Sequence, residues 1–591
     1  MTKSPAVCTW GRNDRRRRGP ITRRLLISVM VLCSVCLSAS SDVWYVDIDT
    51  PAIGHGQDGR SWATAYATLQ DGLDAAHFDG GGDVWVAEGV YTGTTTYVLT
   101  LWENVHVWGG FLGNAPEGYE TVQGQRDWRT HRTVIDGQGA RACVQGAPNA
   151  TLDGFTLRNG RGVQVPMGPP PSGGGMRNEG VSPTIAHCLF VNNSADSGGA
   201  MVNADASPLV KDCVFLANSV DYNGAAMQNT GDASPRVISC VFALNTSTYQ
   251  CATVCNISSG TPEFRACAFV ENRSLNVSGG AMENLYGSPL VANCLFIHNA
   301  AVSAGALHNS NASPLIVNCT FDANRANIKA GAIVNSGSTA ATVVNSILWN
   351  SSPAAIYDEA DSVTTVVYSN VQGGWSGEGN LSPSRIPRFS AVPSGMATAM
   401  SYDADACLTI LTHTGAAFTP QAFAGAILWV STDIGEAAYV IVDNHAETIA
   451  VWGDVTKGGA VGSPVGYAVV NYRLAPDSPC IDAGRDTSAP EWGGVTTDFA
   501  GEPRGIDGLN DGPTGPPAPG DGSDYDMGAY EAARYFAPAD VNRSGEVDAV
   551  DVQLVINAAL SLETEWNCDT NGDGAVNAVD IQGVINAALG L

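Results

Sequence analysis

One phrase of about 26 residues recurs through the middle of the chain, and it limits the fold more than any other feature. Gly198-Gly199-Ala200-Met201-Val202-Asn203 leads to Ser207-Pro208-Leu209-Val210, then Cys213-Val214-Phe215, then Asn218. Its cysteine column is Cys188, Cys213, Cys240, Cys267, Cys294 and Cys319, with Ser346 in the seventh place and steps of 25 or 27 residues. Phe190, Phe215, Phe242, Phe269, Phe296 and Phe321 stand two residues after each Cys, and a proline (Pro183 to Pro314) stands five before. One asparagine column runs 178, 203, 229, 256, 284, 309, 335, and a second runs 193, 218, 245, 272, 299, 324, 350.

Cys-x-Phe has strand parity, so both side chains point to one face. Gly, Ser-Pro and Asn cut the phrase into three short strands per repeat, with no room for a helix. Stacking such coils gives a parallel β-helix, in which each coil pairs only with its neighbours. Equivalent residues then lie ~4.8 Å apart, and about nine coils between 133 and 372 make a rod of ~45 Å. Stacked Asn side chains hydrogen-bond along a column, and Asn tolerates the left-handed turn conformation. Ladder cysteines with parallel Cβ vectors ~4.8 Å apart exceed the ~3.8 Å of a disulfide, so reduced, buried thiols are expected. The ladder also lacks paired Cys/His ligands at zinc spacing. The residue between Cys and Phe (Leu189, Val214, Val241, Ala268, Leu295, Thr320, Ile347) faces outward, yet is mostly apolar. Either this is an ordinary half-covered sheet face, or another segment or a partner packs on it.

Composition agrees with short strands and tight turns: 67 glycines in 591 residues, only 15% charged, 44% hydrophobic. That is too apolar for a disordered chain. A net charge of −28 excludes a phosphate-binding surface as the main business. Residues 1–41 carry eight Lys and Arg and one acid, with Arg23-Arg24 before the apolar run Leu25 to Leu37 and small residues after it. This is the plan of a cleavable export signal, general or twin-arginine, and the run is short for a membrane span. Beyond it the chain holds 22 bases and 57 acids. Acid oxygens are what calcium binds.

Before the repeats, Val43–Asp47, Asp83–Ala87 and Val105–Phe111 read as strands, and Leu69, Leu73 and Ala76 mark one face of a short helix. Between Pro387-Arg388-Phe389 and Tyr472-Arg473-Leu474, the stretches Leu408-Thr409, Ile427–Val430, Tyr439–Val442 and Thr448–Trp452 read as the strands of an inserted module. The expected organisation is a signal (1–41), an N-terminal cap with first strands (42–132), coils (133–389), an inserted β module (390–470), a closing segment with a Gly/Pro linker (471–535) and a C-terminal module (536–591).

This order of motifs, with Ser478-Pro479-Cys480-Ile481-Asp482-Ala483-Gly484 and Asp526-Met527-Gly528-Ala529-Tyr530-Glu531 as its ending, resembles bacterial right-handed β-helix proteins of the pectate-lyase-like superfamily. More narrowly it resembles the surface proteins called choice-of-anchor Q. The resemblance implies an all-β, right-handed parallel β-helix solenoid. Lyases and hydrolases of that fold class use clustered acids, but no Asp or Glu column appears in these coils, and no catalytic residue can be named.

The last sixty residues carry the clearest chemistry. Asp540, Asn542, Ser544, Glu546, Asp548 and Asp551 stand at positions 1, 3, 5, 7, 9 and 12 of a loop with Gly545 at 6. Asp569, Asn571, Asp573, Ala575, Asn577 and Asp580 repeat the pattern 29 residues on, with Gly574 at 6. Alternate side chains converge on one ion, the Gly allows the sharp turn, and position 7 offers its carbonyl, so two calcium ions are expected. Ser544 is a weaker ligand than Asp. After each loop comes Asp-[Val/Ile]-Gln-x-Val-Ile-Asn-Ala-Ala-Leu. These features resemble the type I dockerin, a duplicated module that docks into a cohesin. The resemblance implies a cohesin-like partner met by Ala549, Val550, Ala578 and Val579, in either of two orientations. The whole reads as an exported, extracellular or cell-surface bacterial protein, with a non-catalytic glycan-binding or adhesive β-helix. The alternative is a polysaccharide lyase or glycoside hydrolase delivered by its dockerin. Polysaccharide is the second candidate partner; nucleic acid and a membrane span beyond the signal are not expected.

Overall fold

Each Cys-x-Phe phrase is a strand that pairs in register with the next: Phe190 with Phe215, Phe215 with Phe242, and so on to Phe321. The structure, a computed structural model, describes residues 43–50, 57–114, 120–163, 171–276, 278–432, 435–458, 465–475, 477–505, 525–532, 549–560, 568 and 576–588. The expected signal, 1–41, lies outside them. The coils form three long parallel sheets of 12, 10 and 11 strands. Ten strands of the Cys-x-Phe sheet fall between Thr133 and Val371, one more than the nine coils expected. The solenoid already includes the strands Val43–Val46, Gly82–Ala87 and Val105–Phe111, and helix α1 (Leu69–Phe78) packs Leu69, Leu73 and Ala76 on its first coils.

The columns make the core. Six phenylalanine rings stack with centroids 4.6 to 4.8 Å apart and 3 to 6° from parallel. The ladder cysteines are free and buried, and burial pushes the thiols of Cys213, Cys267 and Cys319 well up. One disulfide, Cys251–Cys255, lies outside the ladder and was not anticipated. In the first Asn column each Nδ2 donates to the next Oδ1, from Asn178 through Asn335, at 2.7 to 2.9 Å. In the second, each Oδ1 accepts both the backbone N–H and Nδ2 of the preceding coil, as Asn245 does from Asn218 at 2.9 and 3.0 Å. Most buried amides of the columns are thereby paired coil to coil at small net gain, and removing one leaves unpaired groups costing ~1–3 kcal/mol each.

Three expectations need correcting. A fourth, six-stranded sheet of two- to five-residue strands follows the second Asn column, from Ser194–Ser197 to Arg325–Ala326, so these coils have four strands rather than three. The left-handed residues are not the ladder asparagines. Two columns of them stand elsewhere, one before each Cys (His187, Asp212 and Ser239 onward) and one before each second-column Asn (Asn192, Ala217, Leu244, Glu271, His298, Ala323), with φ between 49 and 58°, and others (Asp205, Tyr286, Asn311) follow the first Asn column by two. Such a φ costs of order 1 kcal/mol in a non-Gly residue and persists only where stacking enforces it. At its end the second column passes to Ser351, while Asn350 takes the left-handed place and donates to Asp322 Oδ1 at 2.8 Å.

The outward apolar stripe is covered by later chain. Seven antiparallel strands between Phe389 and Leu474 form a sheet with its own core. Ile427, Ala438, Val440 and Tyr472 pack on Ala268, Val270, Leu295 and Ile297, and Cys407 packs on Leu189, Val191, Leu216 and Ala243. The closing segment covers the stripe's far end, with Cys480, Ile481 and Met527 on Ile347 and Trp349, and also places Val495 on Ala292 and Val317 of the neighbouring 12-stranded sheet. It is locked by the fully buried pair Arg504–Glu531 at 2.9 Å.

Candidate functional site

The inserted sheet lies over the Cys-x-Phe sheet, and the two left-handed columns run along that sheet's margins. At the second margin lies a groove of about 550 Å³, within the ~300–1,000 Å³ usual for ligand sites. Its solenoid wall comes from six successive coils: Asn192, Ala217, Leu244, Glu271, His298 and Arg325. Five steps at ~4.8 Å make it ~24 Å long. The opposite wall carries Tyr402, Glu436, Tyr439, Asp454 and Lys457 of the insert.

Two buried residues anchor the groove. Glu271 Oε1 bonds His298 Nδ1 at 2.7 Å and accepts Ala438 N–H at 2.9 Å, so the same carboxylate orients the imidazole and pins the insert. His298 Nε2 is buried with no partner among the described residues, and the ring meets Trp429 edge-on at 5.1 Å. On the next coil Tyr472 Oη donates to Asp322 Oδ2 at 2.7 Å, and burial pushes the Asp322 carboxyl up. Burial also pushes the Tyr402 and Tyr439 phenols up to about 12, so both remain hydrogen-bond donors at neutral pH. The column holding Glu271 and His298 escaped the sequence reading. Its signal was two adjacent ionisable residues at a position that is Asn, Ala or Leu in the preceding coils.

The C-terminal module places helices α2 (Ala549–Ala559) and α3 (Ala578–Ala588) around Val555, Cys568 and Val584. Asp540, Asn542, Ser544, Glu546, Asp548, Asp569, Asn571, Asp573 and Ala575 lie outside the described residues, as does the side chain of Asp551. Asn577 and Asp580 are placed. Asp580 is fully buried in the first turn of α3, and its Oδ2 accepts the Asn577 N–H at 2.9 Å. A carboxylate at the loop's twelfth position is the residue type a calcium loop needs there. Ala549, Val550, Ala578 and Val579 are all exposed. Residues 538–589 match the dockerin type I domain family.

This segment is a type I dockerin.

Dockerins of this type bind calcium and dock into cohesin partners, and the proteins that bear them are typically extracellular or on the cell surface. No curated protein matches the chain. Among solved structures, a tailspike protein (gp49) of Acinetobacter baumannii bacteriophage Fri1, a capsular polysaccharide depolymerase, is similar over 73% of this chain and 86% of its own, at 12% identity and a TM-score of 0.34. The A-module of the Azotobacter vinelandii mannuronan C-5 epimerase AlgE6 is similar over 55% and 80%, at 16% identity and 0.23. A tailspike protein variant of E. coli bacteriophage HK620 is similar over 68% and 89%, at 12% and 0.23. Likeness at this level says nothing about activity. Among the described residues no helix is long and apolar enough to cross a membrane, and no three metal-ligating side chains converge.

Proposed function

We propose that the chain is exported and docked by its dockerin into an extracellular or cell-surface complex, where the groove binds a linear glycan without cleaving it. The groove's length over six coils carries the reading: a slot ~24 Å long suits a polymer better than a compact metabolite. Its walls offer phenol donors, carboxylates and cations for hydroxyl groups. In the dockerin, Asp540, Asn542, Ser544, Asp548 and Asp551 hold one calcium ion with the Glu546 carbonyl. Asp569, Asn571, Asp573, Asn577 and Asp580 hold a second with the Ala575 carbonyl. The calcium fixes the loops, so that Ala549-Val550 or Ala578-Val579 faces the cohesin-like partner. The second reading, polysaccharide cleavage, is favoured by the Glu271–His298 pair, since a carboxylate-held imidazole with a second nitrogen uncommitted is the arrangement of a base.

Affinity electrophoresis of the whole protein in pectin, alginate and xylan gels tests both. At least one polymer should retard it. Thr246 also lines the groove, so Thr246→Trp should weaken that retardation at least tenfold by filling the groove, and no new reducing or unsaturated ends should form. Absence of retardation overturns the binding reading. Product formation, lost in His298→Gln, replaces it with the second.

A further inference from the structure

The other margin of the covered sheet holds a smaller pocket of about 230 Å³, below the low end of drug-sized sites and suited to one small ring. Trp128, Arg129, Arg132, His187, Asp212 and Trp452 line it, over an apolar floor that includes Phe155 and Val214. Its aromatic wall is rigidly held. The Trp128 ring lies 5.0 Å from both the Arg126 and Arg129 guanidiniums and 4.4 Å from the His187 ring. Buried Asp153 fixes two of those three, bonding Arg126 Nη2 at 2.6 Å and His187 Nδ1 at 3.0 Å. Holding a ring in place before binding removes part of the ordering cost.

The charge here runs against the rest of the protein. Beyond residue 41 there are 22 bases and 57 acids, yet 126–161 carries six arginines and three aspartates. Two of those aspartates are occupied, Asp153 by Arg126 and Asp136 by Arg158 at 2.8 Å. Arg129 and Arg132 form no ion pair among the described residues: Arg132 Nη1 donates to the backbone carbonyl of Asp405 at 2.7 Å, and Arg129 lies exposed on Trp128. Two guanidiniums with no carboxylate partner among the described residues, beside an indole, suit a ligand that is anionic at one end and apolar on one ring face. Asp212, half-exposed on the far side near His187 Nε2 at 3.8 Å, accepts hydroxyls and repels a second negative group.

We propose that this pocket binds a single anionic sugar ring, its carboxylate or sulfate on Arg129 and Arg132, its apolar face on Trp128 and Trp452, and its hydroxyls on Asp212. The site is separate from the groove and does not rest on the reading given for it. Tryptophan fluorescence and calorimetry of the whole calcium-loaded protein test it, with glucuronic acid, glucose 6-sulfate, glucose, acetate and sulfate as probes. Saturable binding of glucuronic acid or glucose 6-sulfate, at least tenfold tighter than glucose, is expected, and the two sugars identify which anion is preferred. Arg129→Gln with Arg132→Gln should abolish that preference, and Trp128→Phe should weaken both sugars while keeping the charge effect. Unfolding temperatures near the parent's show the variants folded. Equal binding of glucose, or acetate and sulfate binding as tightly as the sugars, overturns the proposal, as does the lack of any saturable response.

Discussion

The solenoid and the dockerin hold their buried groups together by opposite means. The solenoid core is one continuous cluster from Trp44 to Val371, with side-chain amides paired coil to coil inside it. Among its described residues the dockerin buries three apolar side chains, Val555, Cys568 and Val584. Burial of each is worth ~1.5–3 kcal/mol, while ordering a residue costs ~1–2 kcal/mol of backbone entropy alone. Small modules with few buried side chains draw folding energy from bound metal, and type I dockerins bind calcium. The solenoid is stabilised by repetition, and the dockerin is expected to be stabilised by an ion.

The largest expected effect follows directly. Chelating calcium from the whole protein should remove the helical dichroism of α2 and α3 and leave the signal of the sheets and of α1 unchanged. Calorimetry should show two transitions, with the lower one alone rising on calcium addition, by ~4 kcal/mol per site at a thousandfold excess over Kd. A single transition insensitive to calcium would break the contrast between the halves.

Next in size is a cut into the ring stack. Phe242 is fully buried between Phe215 and Phe269, at 4.8 and 4.7 Å. Phe242→Ala should cost ~3–5 kcal/mol, lowering the upper transition and leaving the calcium-dependent one in place. Because each coil meets only its neighbours, hydrogen exchange should quicken most in the coils around 215–269. Uniform loss of protection along the rod would mean that the solenoid is more cooperative than its stacking implies.

Much of the solenoid was legible because stacking writes itself into sequence: Cys213, Phe215 and Asn218 meet their own kind one coil away, so periodicity is contact. The apolar stripe at Leu189 to Ile347 announced a need for cover without naming the cover. Ile427, Val440 and Tyr472 reach it across more than a hundred residues, and no local pattern records that pairing. The left-handed columns left only a faint trace, since neighbouring coils impose the conformation on Ala217, Leu244 and Glu271 alike. Both clefts are built on those columns, which is why Glu271, His298 and His187 were missed. In the dockerin the loop spacing was plain, and of the twelve expected ligands only Asn577 and Asp580 have described side chains.

The smallest effect concerns pH, and two buried aspartates of the solenoid give it opposite signs. Burial raises the Asp153 carboxyl, but the hydrogen bonds from His187 and Arg126 outweigh that and hold it below the ordinary value. Its ionised form is favoured by folding, so its stabilisation is complete above the unfolded value of ~3.9 and is lost as pH falls through the lower folded one. Asp322 is held above the ordinary value by burial. There the folded state binds the proton more tightly, so stability falls as pH rises from ~3.9 through the folded value. Asp153→Asn should therefore flatten the acid limb of the upper transition below pH ~4, while Asp322→Asn should remove a loss that sets in above it. The dockerin transition should keep its own acid sensitivity in both variants, because calcium ligands must be deprotonated to bind. An upper transition with the parent's pH slope in Asp153→Asn would show that the Arg126–Asp153–His187 cluster shapes the pocket without stabilising the coils.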